Sequence, residues 1–391
     1  MATGGTFELA APARIVFGAG TVAQIGGIAR GLGTHALLVT GKSRRHEAAV
    51  AEPLAAAGVR WTPFAVDGEP TVETARAGTA AAVDCDLVIG FGGGSALDAA
   101  KAIAALAANG GDPLDYLEVV GRGQPLARPS LPLVAVPTTA GTGSEVTRNA
   151  VLASPAHGVK ASLRSPLMLP RVAIVDPDLL AGLPAPVLAA SGLDALSQLI
   201  EPFLSIRANP VTDGLAREAI PRSAAALPRA HAAARAGASI AADDREALAL
   251  ASLFGGLCLA NAGLGAVHGF AAPVGGMFEA PHGAVCAALL PAVLRVNARA
   301  LAARAPDSGA LPRLRELAAM LTGRADATAE DGIAWVEALT RTLEIPGLAR
   351  YGMTSQRIPD LVAKARAASS MKGNPLALTD EELAEIARAS L

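Results

Sequence analysis

Four short apolar segments, each bounded by turn residues, constrain the fold of the first half of the chain most strongly. They are residues 36–40, 87–90, 133–137 and 172–176. Alanine-rich stretches with helical spacing separate them, and continuous apolar runs of this kind are typical of parallel strands covered by helices on both faces. Two further strands are predicted, at residues 60–66 and, as an edge strand or arm, at residues 14–18. The first half is therefore predicted to be an α/β domain with a parallel sheet.

The pattern changes after Asp176, because helical periodicity continues to the C-terminus without a confident strand. A chain of 391 residues exceeds the usual size of one domain, so two domains are expected. Pro177 and Pro184 bracket a short connection, which places the α/β domain at residues 1–178 and an all-helical domain at residues 179–391. Four further prolines are predicted to mark connections between helices: Pro210, Pro221, Pro306 and Pro346.

The composition argues against several classes of protein. With 33 Lys+Arg against 35 Asp+Glu the net charge is −2, which disfavours nucleic acid or an anionic membrane as the main partner. Apolar runs are broken well short of the ~20 residues that a membrane helix needs, and the N-terminus lacks an apolar signal core, so a cytoplasmic protein is expected. The three cysteines stand in apolar surroundings and are expected to be buried reduced thiols without assigned chemistry: Cys85, Cys258 and Cys286.

A glycine-rich turn follows the predicted strand at residues 87–90 and precedes a predicted helix at residues 96–108. Glycines let the backbone pass close to a ligand, and the N–H groups at a helix start attract an anion such as pyrophosphate. The candidate residues are Gly92, Gly93, Gly94 and Ser95. Their order differs from the Gly-x-Gly-x-x-Gly of the commonest dinucleotide fold, so a purely structural turn is the alternative.

A second loop, residues 137–145, also follows a predicted strand and is rich in hydroxyls and backbone donors suited to phosphate or ribose. Two such loops at the carboxyl ends of parallel strands match the usual ligand position in open α/β sheets. At the end of the strand at residues 36–40, Gly41, Lys42 and Ser43 present no acidic side chain. An acid there would repel the 2′-phosphate of NADP, so NADP is favoured over NAD, with an ordinary basic turn as the alternative.

A second candidate site depends on a predicted helix at residues 183–204. Asp194 and Gln198 are four residues apart on it, so both side chains leave the same face. His268 and His282 from a later segment add two imidazoles to the carboxylate, a ligand set suited to Zn²⁺ or Fe²⁺ that leaves a coordination position open. The spacing alone is common on solvated helix faces, so a structural role is the alternative.

These motifs, in this order along nearly the whole chain, resemble the iron-containing (group III) alcohol dehydrogenase family. The matching segments are residues 91–101, 137–145, 192–196, 281–283 and 370–375, together with His268. The resemblance implies a dehydroquinate-synthase-like fold, with dinucleotide binding by residues 1–178 and metal and substrate binding by the helical residues 179–391. It further implies hydride transfer between NAD(P) and an alcohol or aldehyde, a divalent metal and a homodimer.

Carried over position by position, the resemblance assigns metal ligands and cofactor contacts. The metal ligands are Asp194, Gln198, His268 and His282, and all of these except Gln198 would be catalytic by polarising a carbonyl oxygen. The cofactor contacts are Gly41, Ser43, Gly92, Gly93, Gly94, Ser95, Asp98, Thr138, Thr139, Thr142 and Lys160. Two positions depart from the family, which usually has histidine where this chain has Gln198 and in many members has histidine where it has Ala272.

Gln198 leaves alternatives open, because an amide oxygen is a weaker ligand than imidazole. The metal is either Fe²⁺ or Zn²⁺ on three strong ligands, or is not required, as in the related maleylacetate reductases, which act on an oxo acid. Arg148 and Arg164 are candidate clamps for such an acid. A dehydroquinate-synthase-like lyase is disfavoured by Asp194, since those enzymes generally have glutamate there, and a non-catalytic nucleotide-binding protein is disfavoured by the retained aspartate and histidines.

Overall fold

The computed structural model describes residues 6–391, which form two compact units. An α/β unit comprises residues 10–139 and 143–181, and a helical unit comprises residues 6–9, 140–142 and 182–391. The α/β prediction for the first part of the chain and the helical prediction for the second part are both confirmed.

Eight strands lie within the described part of the α/β unit. They are β1 (Arg14–Phe17), β2 (His35–Gly41), β3 (Arg60–Val66), β4 (Leu87–Gly92), β5 (Leu133–Pro137), β6 (Asn149–Ser154), β7 (Val159–Arg164) and β8 (Val172–Val175). Six of them pair in parallel in the order β1-β8-β5-β4-β2-β3, while β6 and β7 form a separate antiparallel hairpin. Each predicted strand segment is present, and the hairpin is an element that the sequence did not predict.

Five α-helices of the described residues complete this unit: α1 (Ile25–Arg30), α2 (Ala48–Ala56), α3 (Val72–Ala81), α4 (Gly94–Asn109) and α5 (Pro113–Tyr116). Strands β4, β5 and β8 are buried along their whole length, as expected for apolar runs enclosed on both faces. Strand β4 packs closely on α4, because a Cβ at Gly90 would lie 2.9 Å from Ala100 Cβ and 3.1 Å from Leu97 Cδ2. This contact fixes the start of α4 just beyond the end of β4.

Strands β4 and β5 are neighbours, so the two predicted cofactor loops leave the same edge of the sheet. Gly92 is in register with Pro137, and the Thr138 N–H donates to the Gly92 carbonyl at 2.9 Å. Ligands of open parallel sheets bind at this carboxyl edge. The strand order therefore places the glycine turn and the threonine-rich loop side by side.

In the helical unit the structure describes nine α-helices: α6 (Ala185–Leu204), α7 (Pro210–Arg235), α8 (Ala242–Ala262), α9 (Ala266–Phe278), α10 (His282–Arg304), α11 (Ala310–Thr322), α12 (Ala329–Thr342), α13 (Ile358–Ala367) and α14 (Asp380–Ala389). Helix α6 is central, because α7, α8 and α10 all pack against it. Of its 20 residues, 16 are buried, including several polar ones. The neighbouring helices must therefore satisfy the polar side chains of α6.

Helices α6 and α10 are long and apolar enough to cross a membrane by length and composition, and α8 with α9, bent by 99° at their junction, meets the same criterion as a pair. The apolar runs are interrupted as predicted, by Asp194 and Glu201 in α6 and by Pro291 and Arg295 in α10, but the mean hydropathy of these helices still reaches that of a membrane span. In the structure, 83% of the apolar window of α6 and 72% of that of α10 are buried inside the protein. Their apolar character serves packing within the helical unit.

Three of the four prolines predicted between helices lie where they were expected. Pro210 is the first residue of α7, and Pro306 and Pro346 lie in connections between helices. The prediction is wrong for Pro221, which lies inside α7. Proline has no N–H, so the carbonyl of Arg217, four residues earlier, loses its helical hydrogen-bond partner. Both Pro221 and Arg217 are exposed. Water can replace that partner on the exposed face, so the helix continues through the proline.

Candidate functional site

Helix α6 carries three buried polar side chains: Asp194, Gln198 and Glu201. Their exposed fractions are 1%, 2% and 6%. Spacings of four and three residues place them on one face of the helix. Burial of two carboxylates is costly unless hydrogen-bond donors or cations compensate their charge. The helices packed on this face must therefore supply such partners.

The two predicted histidines lie in the first turns of two other helices. His268 is the third residue of α9, and His282 is the first residue of α10. The start of α10 lies directly against α6, because a Cβ at Gly283 would be only 2.7 Å from the Ala190 carbonyl oxygen. The glycine thus allows the close approach that brings His282 to Asp194.

Four side-chain ligand atoms converge at this point. Oδ1 of Asp194 lies 3.3 Å from Nε2 of His268 and 3.8 Å from Nε2 of His282. Sγ of Cys286 lies 3.7 Å from each of the same two nitrogens. All four atoms lie within 4.8 Å of one another. The structure therefore brings together the aspartate and both histidines predicted to share a site, and adds a cysteine to them.

Cys286 is a residue of this cluster that the sequence interpretation missed. It is fully buried and free, and it lies four residues after His282, one turn along α10. The same four-residue spacing paired Asp194 with Gln198, so it is a signal that could have found Cys286. Of the other two free cysteines, Cys258 is buried as expected and Cys85 is half-buried.

The two oxygens of Asp194 have different surroundings. Oδ2 accepts a hydrogen bond from Nε2 of Gln198 at 2.9 Å. Oδ1, which faces the imidazoles, is buried and accepts no hydrogen bond of ordinary geometry within the described residues. A buried carboxylate oxygen without a donor is costly, and coordination of a cation removes that cost. The cluster of Asp194, His268, His282 and Cys286 therefore fits a divalent metal ion.

The electrostatics of the cluster also favour a positive charge. Burial opposes ionisation of Asp194, but attraction to His282 and His268 outweighs it and lowers the pKa of the carboxyl group. Burial likewise opposes a charged His268, yet Cys286, Asp194 and Glu201 together raise its pKa well above the ordinary value. Attraction to Cys286, followed by attraction to Asp194, raises the pKa of His282 to about 9. These shifts reflect the negative charge around the two imidazoles, which a bound cation would also neutralise after displacing their protons.

Glu201 orients one of the imidazoles. Its Oε2 lies 2.6 Å from Nδ1 of His268, and its Oε1 accepts the Val267 N–H at 2.7 Å. Because a carboxylate only accepts hydrogen bonds, Nδ1 of His268 carries a proton, and Nε2, which faces the cluster, is the nitrogen that would give up its proton to bind a metal. Glu201 lies seven residues after Asp194, a helical same-face spacing that the sequence interpretation did not use.

We expect Glu201→Gln to weaken Zn²⁺ binding by about 10- to 100-fold, the usual effect of losing a group that orients a ligand. The two oxygens of Glu201 accept one N–H each, whereas a glutamine amide has one oxygen and one NH₂ group. Either the His268 or the Val267 N–H would therefore face an NH₂ group, which cannot accept it. Competition with a chromogenic chelator measures the affinity. Glu218→Gln, which alters a glutamate 51% exposed on α7, is the control. Equal affinities in the two variants would show that Glu201 does not orient His268.

The glycine turn of the α/β unit leads directly into α4. Gly93 occupies the N-cap position, and no side chain of the described residues caps the helix there. The N–H groups of the first turn are therefore not engaged by a capping side chain, and such groups bind anions. A Cβ at Gly93 would lie 3.4 Å from the Thr139 side chain, so the two predicted cofactor loops approach each other closely.

Asp98 holds the threonine-rich loop and the hairpin against α4. Its carboxylate accepts the Ser144 hydroxyl at 2.5 Å and the Val151 N–H at 2.9 Å. It also lies 3.0 Å from Nζ of the buried Lys101, which donates to the Thr147 hydroxyl at 2.8 Å. These contacts position the loop, and the cofactor contact assigned to Asp98 stays a prediction.

The other predicted cofactor residues lie at several places. Thr138 is buried and Thr139 half-buried at the end of β5, whereas Thr142 is grouped with the helical unit. Lys160 lies on β7 with its Nζ 3.4 Å from Oε1 of Glu69.

Gly41 ends β2, and Ser43 is exposed in the turn that follows. Between them, Nζ of Lys42 lies 2.6 Å from Oδ2 of Asp67, just beyond the end of β3. The neighbouring strand thus brings an acidic side chain to a turn that has none of its own, which the sequence interpretation missed. Both side chains of this ion pair are highly exposed, so the pair contributes little stability and leaves Lys42 free to contact a ligand.

Comparison with protein families gives a match to each part of the chain. Residues 12–177 match the model described as iron-containing alcohol dehydrogenase, and residues 188–391 match the C-terminal model of the Fe-containing alcohol dehydrogenase family. The 1,3-propanediol dehydrogenase of Klebsiella pneumoniae is 36% identical over 98% of each chain. The NAD-dependent methanol dehydrogenase of Bacillus methanolicus is 34% identical over 97% of this chain and 98% of that protein.

Solved structures give the same result. A 1,3-propanediol oxidoreductase superposes with a TM-score of 0.90 at 34% identity, covering 99% of this chain and 100% of the other. Sulfoacetaldehyde reductase from Bifidobacterium kashiwanohense, in complex with NAD⁺, superposes with a TM-score of 0.85 at 28% identity, covering 99% of each chain. The similarity therefore extends over both units.

Proposed function

The chain belongs to the iron-containing alcohol dehydrogenase family, as an oxidoreductase acting on CH–OH groups, and we propose that it reduces small aldehydes reversibly with a nicotinamide dinucleotide and a divalent metal. The observation that carries this proposal is that His268 and His282 converge on Oδ1 of Asp194. This buried carboxylate oxygen accepts no hydrogen bond within the described residues. The relatives named for propanediol and methanol support a small alcohol as the substrate class.

The protein's contribution to the reaction is binding and orientation. A divalent ion at the cluster would polarise a carbonyl oxygen, and the nicotinamide would supply the hydride. Asp194, His268 and His282 would hold the ion, while Glu201 keeps Nε2 of His268 directed at it. Reduction also needs a proton on the oxygen, and Ala272 has no group to provide one, so a water molecule or a ribose hydroxyl would serve.

For the cofactor we propose that the pyrophosphate binds Gly92, Gly93, Gly94 and Ser95 at the start of α4, with Thr138 and Thr139 beside it. The turn at Gly41 and Ser43 supports NADP over NAD, because Lys42 can approach a 2′-phosphate. Asp67 and the relative named as NAD-dependent support NAD instead. The ratio of kcat/KM for NADPH to that for NADH decides between them, and a ratio below one would contradict the NADP preference.

The decisive test is metal content together with chelator sensitivity. We expect the purified protein to contain about one Zn²⁺ or Fe²⁺ per chain by elemental analysis, and its oxidation of NADPH or NADH with an aldehyde panel to be lost after chelation. Restoring the metal should restore turnover. Metal-free protein with full turnover would contradict the proposal and favour the maleylacetate-reductase-like alternative, with oxo acids as substrates. Arg164 is one of the two arginines that could bind the carboxylate of such an oxo acid, and its Nε lies 3.5 Å from Oε1 of Glu118.

A homodimer and a cytoplasmic location, both expected from the sequence, are parts of this proposal. Sedimentation equilibrium tests the dimer, and a mass equal to the chain's 39.1 kDa would contradict it. Cell fractionation tests the location.

A further inference from the structure

The amide of Gln198 is oriented as a donor to Asp194. Its Nε2 lies 2.9 Å from Asp194 Oδ2, and a carboxylate accepts but does not donate, so the NH₂ group must face that oxygen. The amide oxygen is on the side of α8, where a Cβ at Gly255 would lie 3.6 Å from it. An NH₂ group has no lone pair for a metal, so this orientation holds Asp194 in place without providing a ligand.

Cys286 occupies the position that a further ligand needs. Its side chain is fully buried, and its Sγ lies 3.7 Å from Nε2 of His268 and 3.7 Å from Nε2 of His282. Both nitrogens also face Oδ1 of Asp194, at 3.3 and 3.8 Å. The sulfur therefore lies among the same atoms that would hold the ion.

Four of the six separations among these atoms are close to the edges of a coordination tetrahedron, and the other two, between the two histidines and between Asp194 and Cys286, lie within 4.8 Å. Zinc binds nitrogen and oxygen at about 2.0 to 2.1 Å and thiolate sulfur at about 2.3 Å. A regular tetrahedron then separates oxygen from nitrogen by about 3.3 Å and sulfur from nitrogen by about 3.6 Å. The four observed separations of 3.3, 3.8, 3.7 and 3.7 Å agree with these values within about 0.5 Å.

We propose that Cys286 is the fourth protein ligand of the metal, in place of Gln198, and that this ligand set selects Zn²⁺ over Fe²⁺. The inference rests on the metal site of the proposed function. Position 198 has an amide in place of an imidazole, and a thiol lies one turn after His282. Thiolate is a softer ligand than imidazole and favours zinc. Because four protein ligands would fill a tetrahedron, binding of a substrate oxygen would require the metal to accept a fifth ligand.

Cobalt substitution tests the sulfur directly, because Co²⁺ bound to thiolate gives a ligand-to-metal charge-transfer absorption in the near ultraviolet that nitrogen and oxygen ligands do not give. We expect the metal-depleted protein titrated with Co²⁺ to show this band at one equivalent. Cys286→Ala should lose the band and bind Zn²⁺ at least tenfold more weakly. Cys258→Ala, which changes a buried thiol outside the cluster, is the matched control, and Gln198→Ala should keep the band.

The outcomes separate this inference from the proposed function. Stoichiometric cobalt binding without the band, or a band that persists in Cys286→Ala, overturns the cysteine ligand and leaves the metal site intact. Absence of metal binding by the unmodified protein overturns both. Thermal melting of each metal-depleted variant establishes folding. If Cys286→Ala melts early, Cys286→Ser is used, since its hydroxyl restores polar packing without giving the sulfur band.

Discussion

His268→Ala is expected to lower kcat/KM for aldehyde reduction by at least ~10³-fold, equivalent to about 4 kcal/mol of transition-state stabilisation. The variant removes an imidazole that faces both Asp194 Oδ1 and Cys286 Sγ. It also leaves Glu201, which is 6% exposed, with the Val267 N–H as its remaining hydrogen-bond donor among the residues that the structure describes. Steady-state kinetics with saturating dinucleotide, together with metal analysis, measures the effect.

The control for His268→Ala is His157→Ala, since His157 is exposed in the turn between β6 and β7 and bonds only to Ser154 in the described structure. It should keep kcat/KM within about twofold.

Dinucleotide binding by His268→Ala should be unchanged, because the glycine turn belongs to the other unit. A variant that fails to fold would make His268 structural, and His282→Ala, at a side chain 39% exposed, then tests the cluster independently. Full activity in a folded His268→Ala would contradict its catalytic role.

The parallel sheet could be predicted because strands buried on both faces consist of continuous apolar residues. The hairpin of β6 and β7 could not, because its buried positions are Ala, Leu and Ser, while Val151 and Ala153 on the half-buried face of β6 are apolar as well. Such strands differ little in hydrophobicity between their two faces, so they lack the alternation that predicts a strand. Their structure depends on contacts across the fold, including the bond from the Val151 N–H to Asp98.

The candidate site was only partly predictable for a related reason. The chemistry of aspartate and histidine identified three members, but Asp194 and His268 are far apart in sequence. Only the packing of α10 on α6 and of α9 on α10, with the hydrogen bonds that Glu201 accepts from the start of α9, brings them within 3.3 Å. The resemblance assigned Gln198 as a ligand and the four-residue spacing placed it beside Asp194, but a helix face shows which residues are neighbours and not which atom each presents. The donor orientation of that amide appears only once side chains are placed, whereas Cys286, one turn after His282, could have been found by the same spacing argument.

A second large effect is expected from Glu145, in the threonine-rich loop. Its side chain is 1% exposed, and neither carboxylate oxygen accepts a hydrogen bond within the described residues. Burial raises its pKa from 4.5 to about 7, against the attraction of Lys101. Below pH 4.5 both folded and unfolded states carry the proton. Between pH 4.5 and 7 only the folded state keeps it, so stability falls as the pH rises through this window, by about 3 kcal/mol in total.

Glu145→Gln should remove this loss of stability, because the amide has a similar shape and no charge to desolvate. We expect the free energy of unfolding in urea to fall between pH 5 and pH 8 by about 3 kcal/mol less in the variant than in the unmodified protein. The ion pair of Asp98 with Lys101 remains in both, so it does not contribute to the difference. Glu52→Gln, at an exposed position of α2, should leave the pH dependence unchanged within about 0.5 kcal/mol. Identical pH dependence in Glu145→Gln and the unmodified protein would show that Glu145 is already ionised in the folded state, with Lys101 compensating its buried charge.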